Sequence, residues 1–123
     1  PGALARLETL PGPLQEAVGL MLAHMEEPLS MGEIARRAGL NLRRMERLFR
    51  AHMDAPPGQV YRRIRLERAR ELLRHTNLAT LEIGMLTGFS SSSHFAMAYQ
   101  REFGQRPSET RRAGEASAGE TPS

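Results

Sequence analysis

The side chains best equipped for chemistry are Arg43, Arg44, Glu46, Arg47 and Arg50, five charges within eight positions. On a helix, Arg43, Arg47 and Arg50 share one face through their i, i+4 and i+3 spacing. An arginine fork matches guanine O6 and N7 in a major groove, and a glutamate accepts from cytosine N4. The same residues on an ordinary surface helix would be a solvated face, with Arg43–Glu46 and Glu46–Arg50 pairs worth about 0.2–0.5 kcal/mol each. What decides between the two is the position of the segment within its fold. A second polar group comprises Ser91, Ser92, Ser93, His94, Met97, Gln100 and Arg101. Its hydroxyls and imidazole can reach bases or phosphates, and Met97 can touch a thymine methyl. It places no arginine fork for base reading.

Enzymatic readings find little support. The serine run before His94 has no partner acid or oxyanion site, and serines ahead of a helix usually cap it. His24, His52, His75 and His94 show no metal-ligand spacing with one another or with an acid on one face. The expectation is a binding module with no catalytic residues, no metal and no cofactor.

These groups must be positioned by helices. Strand signals are weak: aromatics make up 5% of the chain and no Asn-Gly or Asp-Gly hairpin occurs. Leu14, Ala17, Val18, Met21, Leu22 and Met25 form a helical stripe closed by Pro28. Ser30 and Glu33 have capping-box spacing and open a short helix with Ile34 and Ala35 inward, ended by Gly39. Asn41 caps a third helix that buries Leu42, Met45, Leu48, Phe49 and Met53. Pro56 and Pro57 suit the first turn of a long central helix reaching His75. Its apolar set, Val60, Tyr61, Ile64, Leu66, Ala69, Leu72 and Leu73, covers more than half the wheel, which predicts packing on two sides. A short helix with Leu81, Ile83 and Leu86 follows and ends at Gly88. Ser91 then caps a helix that buries Phe95, Ala98, Tyr99 and Phe103. Gly104 stops it, and a last short helix follows Pro107.

The pattern repeats. Ile34-Ala35-Arg36-Arg37-Ala38-Gly39-Leu40-Asn41 aligns with Ile83-Gly84-Met85-Leu86-Thr87-Gly88-Phe89-Ser90, 49 residues later. Each copy has a small residue in a short helix, then a glycine four positions on, an apolar plug, a polar cap and a longer helix. The small residue allows a close crossing, and the glycine takes the left-handed turn. Two such helix-turn-helix matches favour the base-reading assignment of the first arginine group. The fold class expected is all-α, about seven helices, in two helix-turn-helix subdomains joined by a long central helix. Residues 1–12 read as a linker from an upstream domain and 13–112 as the tandem domain. Within the latter, 13–55 is the first unit, 56–75 the central helix and 76–112 the second unit. Residues 113–123 read as a disordered tail.

Charge agrees with a polyanionic partner. All 17 basic residues are arginine, and residues 30–112 carry sixteen of them against eight acids. The chain has no cysteine, hence no disulfide framework, and no apolar run long enough to span a membrane. No signal-peptide pattern opens it, so a cytoplasmic protein is expected. Because the chain opens on Pro1 rather than Met, a longer parent protein is expected too. A helical protein-interaction domain with its arginine face on an acidic partner is the main alternative function. Single-stranded RNA binding fits poorly, because Phe49, Phe89, Phe95, Tyr99 and Phe103 fall on core positions rather than on a stacking surface.

From about Leu14 to Arg112 the sequence resembles the DNA-binding domain of the AraC/XylS family of bacterial transcription regulators. The resemblance rests on Pro28-Leu29-Ser30, Ile34-Ala35, Gly39-Leu40, Arg44-Met45-Glu46-Arg47-Leu48-Phe49-Arg50, Arg65 through Leu73, Gly88-Phe89, Ser93-His94-Phe95, Phe103-Gly104, and Pro107-Ser108 with Arg111. It implies sequence-specific binding of double-stranded DNA by one monomer per half-site, with the third and sixth helices in adjacent major grooves. It implies an activator that is cytoplasmic and nucleoid-associated and works with RNA polymerase in the full-length protein. The fragment itself would be monomeric, and the full-length protein could dimerise through an absent N-terminal domain. The wording looks most like members whose upstream sensor domain is amidotransferase-like. Base-reading positions carried over from the family fall on Arg43, Glu46 and Arg47 in the first unit, and on Ser92, Ser93, Ala96 and Met97 in the second. Three departures stand out. Met97 and Gln100 occupy positions where the family often has basic residues. Asp54 replaces the usual glycine after the third helix, and Asp tolerates the left-handed conformation better than most residues.

Overall fold

A computed structural model describes residues 7–119, and among these every regular element is helical. The helices are α1 (Gly12–Ala23), α2 (Met31–Arg37), α3 (Leu42–Met53), α4 (Pro57–His75), α5 (Thr80–Leu86), α6 (Ser92–Phe103) and α7 (Pro107–Gly119). The chain divides into two compact units, one ending at Ile64 and the other starting at Arg65. The boundary falls inside α4, so the central helix is not a separate segment. Val60, Tyr61 and Ile64 belong to the core of the first unit, while Leu66, Ala69 and Leu73 belong to that of the second. This refines the expected two-sided packing: the wide apolar arc is two narrower stripes laid end to end, one per unit.

In the first unit α1 buries Leu14, Ala17, Val18 and Met21, with Pro13 in its first turn, where a missing N–H costs nothing. Leu22, assigned inward by the stripe, is exposed. The core extends further towards the N-terminus than the sequence suggests. Leu10 is buried, Leu7 packs beside it, and Gln15 Nε2 donates to the Leu10 carbonyl at 2.7 Å. Residues 7–12 are therefore part of the unit and not linker; residues 1–6 of that expected linker lie outside the described residues. Tyr61 fixes the α1–α2 connection. Its hydroxyl donates to the carbonyl of His24 and accepts from the Leu29 N–H at 3.0 Å, so a buried phenol uses both of its bonding roles.

The second unit is built on aromatics. Phe89, Phe95, Tyr99 and Phe103 form a chain of ring contacts with centroids 4.7–5.8 Å apart. The buried Tyr99 hydroxyl donates to Thr110 Oγ1 at 2.8 Å, and Thr110 donates onward to Gln105 Oε1. Helix α7 continues through Gly119, which corrects the expectation of a disordered tail for 113–119; residues 120–123 lie outside the described residues. The first part of this extension packs at ordinary van der Waals distance on the end of α4. A Cβ added at Gly114 would sit 3.8 Å from the Arg74 Cα. One turn earlier, the Arg111 guanidinium donates to the carbonyls of Leu73 and Thr76 at 3.4 and 3.1 Å. Those carbonyls are orphans of the end of α4, and a cation is the favoured partner there.

Candidate nucleic-acid interface

Each unit contains one helix-turn-helix, and both turns are closed by the same hydrogen-bond pair. After α2 the Leu40 N–H bonds to the Ala35 carbonyl at 2.8 Å and the Gly39 N–H to Arg36 at 3.2 Å. After α5 the Phe89 N–H bonds to Gly84 at 2.9 Å and the Gly88 N–H to Met85 at 3.1 Å. This is the Schellman arrangement, and it needs a left-handed residue, supplied by Gly39 at φ 74° and Gly88 at φ 84°. The small residue has its expected role in the second unit. A Cβ on Gly84 would lie 3.2 Å from the Phe95 ring, which crosses directly above it. Arg65 braces the same turn by donating to the carbonyls of Thr87 and Gly88 at 3.2 and 3.0 Å, its guanidinium 4.6 Å from the Phe89 ring centroid.

The longer helices start at side-chain caps. Asn41 Oδ1 accepts from the Arg44 N–H at 2.7 Å, and Ser91 Oγ accepts from the His94 N–H at 3.1 Å. The second turn is thus one residue longer than the first, because the aligned Ser90 leaves capping to Ser91. From the caps onward the two helices correspond at a spacing of 50. Met45, Phe49 and Met53 answer to Phe95, Tyr99 and Phe103, and the left-handed Asp54 at φ 55° answers to Gly104 at φ 71°. Asp54 adopts the left-handed conformation expected of it.

On this frame Arg43, Arg44, Glu46, Arg47 and Arg50 are all exposed on α3, as are Ser91, Ser92, Ser93, His94, Met97, Gln100 and Arg101 on and before α6. Ala96 is half-buried. Glu46 pairs with Arg50 at 3.5 Å, while among the described residues Arg43 and Arg47 have no ion-pair or hydrogen-bond partner for their guanidinium groups. The pairing of Arg43 with Glu46, possible by spacing, is not formed. His94 lies edge-on to Phe89, centroids 5.4 Å apart. Sequence reasoning missed Leu42. Expected in the core, it is 54% exposed in the first turn of α3, beside Arg43. Its place directly after the Asn41 cap was the available signal, since the first helical residue has no preceding turn to cover it.

At the opposite end of the first turn, α2 carries a tight charge cluster. Ser30 Oγ accepts from the Glu33 N–H at 3.1 Å, and the Glu33 carboxylate pairs with both Arg36 and Arg37. Hydrogen bonds from Arg36 and then Arg37 hold the Glu33 carboxyl down at about 2. Its stabilising effect on α2 is complete above the ordinary carboxylate range and is lost as pH falls towards 2. A side-chain carbon NMR titration is expected to place the Glu33 midpoint near 2, well below the usual carboxylate range. A midpoint in the ordinary range would show that the pairs do not persist in solution.

The fold and this surface define a tandem helix-turn-helix protein, and comparisons identify its family. Residues 34–113 match the helix-turn-helix domain family. The HTH-type transcriptional regulator ArgR of Pseudomonas aeruginosa is 43% identical over 98 residues, which is 80% of this chain and 30% of that protein. The HTH-type transcriptional activator RhaS of Escherichia fergusonii is 36% identical over 85% of this chain and 37% of its own length. An AraC-type regulator from Chromobacterium violaceum, solved by crystallography, superposes with a TM-score of 0.80 at 42% identity, over 83% of this chain and 91% of that one. The DNA-binding domain of AdpA, crystallised in complex with a target DNA, superposes at 0.83 with 27% identity over 90% of this chain and all of that one. The chain belongs to the AraC-type helix-turn-helix DNA-binding domains of bacterial transcription regulators. It spans about 30% of the length of the first curated relatives it matches.

Proposed function

We propose that this domain reads duplex DNA by placing α3 of the first unit and α6 of the second each in a major groove. The observation that carries the proposal is the state of Arg43 and Arg47. Both are exposed and unpaired among the described residues, on the helix that directly follows a helix-turn-helix turn. An unpaired guanidinium loses no internal partner when it bonds guanine O6 and N7. Arg43, Glu46 and Arg47 are the base readers of the first unit. Arg44 and Arg50 suit phosphate contact, which fixes register without reading sequence. In the second unit Ser92, Ser93, Ala96 and Met97 face the bases. Ser91, His94, Gln100 and Arg101 lie nearer the backbone, close to a helix N-terminus or at the edge of the reading face. The crystallised AdpA–DNA complex supports this use of the fold.

The domain acts by binding, not catalysis. In its full-length protein it is an activator that works with RNA polymerase, in line with the activator name of RhaS. The relatives' greater length leaves room for an upstream sensor domain, amidotransferase-like in our reading, through which the full-length protein could dimerise. The protein is cytoplasmic and nucleoid-associated in this reading; among the described residues no helix is long and apolar enough to cross a membrane.

Two reading helices in one chain do the work that a dimer does elsewhere. This chain is therefore expected to sediment as a monomer and to retain specific duplexes from a randomised library without any small molecule. An obligate dimer, or binding that requires an added ligand, would overturn this. Retention by an acidic protein surface with no duplex selectivity would favour the interaction-domain alternative instead.

A further inference from the structure

The proposed reading leaves open what the second unit reads, and the structure narrows it. At the spacing of 50 that aligns the two cores, Met97 occupies in α6 the place that Arg47 occupies in α3. Likewise Ala96 stands for Glu46 and Ser93 for Arg43. Met97 is 62% exposed, and its helix is locked beneath it by the buried Phe95 and Tyr99. The same position that presents a guanidinium in one unit thus presents a flexible thioether in the other, flanked by a methyl and a hydroxyl.

We infer that Met97 makes the second half-site thymine-specific at the base pair where the first half-site takes guanine. This rests on the proposed reading of DNA by α3 and α6. Among the major-groove edges of the base pairs, alongside their differing donors and acceptors, the one apolar group is the thymine C5 methyl. A thioether cannot satisfy guanine O6 and N7, and facing G·C it would leave those acceptors without the donors that an arginine supplies. Against thymine it removes methyl surface from water on both partners. Ala96, half-buried beside it, carries no side-chain hydrogen-bonding group and leaves room for the methyl. The operator this chain prefers is therefore asymmetric: guanine- and cytosine-reading in the first half and methyl-reading in the second.

The test uses the full 123-residue chain and a duplex selected from a randomised library. Thymine is expected at one fixed position of the second half-site. Replacing it with deoxyuridine, which keeps every hydrogen bond and lacks only the methyl, should weaken binding by about threefold to tenfold. Deoxyuridine at thymines of the first half-site should change little. Met97→Ala should abolish the deoxyuridine effect, Met97→Leu should keep most of it, and Met97→Arg should move the preference from thymine towards guanine. Met97 is exposed, so these variants are expected to fold, and unchanged melting temperatures check that. Binding that is specific yet indifferent to deoxyuridine in the second half-site overturns the inference and leaves the DNA-reading function standing. Failure to select any duplex overturns both.

Discussion

Replacing Arg43, Glu46 and Arg47 together with alanine is expected to lower affinity for the selected duplex by about two to four powers of ten, at 1–3 kcal/mol for each good base contact with incomplete additivity. Affinity for unrelated duplexes should fall much less, because phosphate contacts elsewhere remain. The companion variant, with Ser92, Ser93 and Met97 changed to alanine, should lose only about tenfold, the order of a methyl contact plus weak hydroxyl contacts. All six side chains are exposed, so stability should shift by no more than about 0.5 kcal/mol in either case. Scoring both variants against a library randomised across both half-sites gives the number of specified base positions each one loses. Equal losses would refute the inequality of the two units. The salt dependence should also weaken more in the first variant, which alone removes positive charge.

The second large effect is on stability. Phe95→Ala is expected to cost about 3–5 kcal/mol in urea unfolding, as for other buried aromatic truncations. The ring is almost fully buried, contacts both Phe89 and Tyr99, and forms the ceiling over Gly84. Gly84→Ala separates packing from backbone effects. In the wild-type background its new methyl meets the ring at 3.2 Å, which offsets the gain of about 1 kcal/mol from removing a helical glycine. With Phe95 already reduced to alanine, the same methyl fills vacated space and should stabilise. Equal effects of Gly84→Ala in the two backgrounds would show that the ring does not set the helix crossing.

Much of this fold was legible because its signals are local. Ser30, Asn41 and Ser91 cap helices through their own side chains, and Gly39, Gly88 and Gly104 take positive φ because the turns demand it. Chemistry of that kind is visible in a few consecutive residues. The failures involve residues whose fate depends on distant cover. Leu81, one of the three apolar residues from which the short helix α5 is read, is 58% exposed while Ile83 is buried. Two residues apart on a helix is a turn of about 200°, so the pair cannot share a face. Leu86, three positions past Ile83 in the last turn of the seven-residue α5, is exposed although its spacing would allow it to share the face of Ile83. Leu7 and Leu10 belong to no periodic segment, and only the tertiary fold gives them a core to enter. The extension of α7 was hidden by its glycines, which read as breakers until Gly114 is seen against the backbone of Arg74.

The side chains proposed to read DNA stand out because their type and place in the helix-turn-helix agree, whereas their proposed division of labour is less visible. The alignment of the two halves slips by one residue at Ser90 and Ser91, and only the observed caps show that Met97 answers to Arg47. A thioether in an arginine's place carries no charge signal to draw notice. It becomes informative once its exposure is known.

The bonds from Arg111 to the end of α4 bear on where this domain can be trimmed. Both reading helices are complete by Phe103, so a fragment ending there would keep every side chain assigned to DNA. It would also lose the donor for the Leu73 and Thr76 carbonyls, which arrives from 38 and 35 residues downstream, and with it the Thr110 partner of Tyr99. The last helix, which touches no base in this reading, supplies the donor to the carbonyls at the end of the central one. The functional boundary of the domain therefore lies beyond its recognition surface, and deletions judged by the reading residues alone would cut inside the fold.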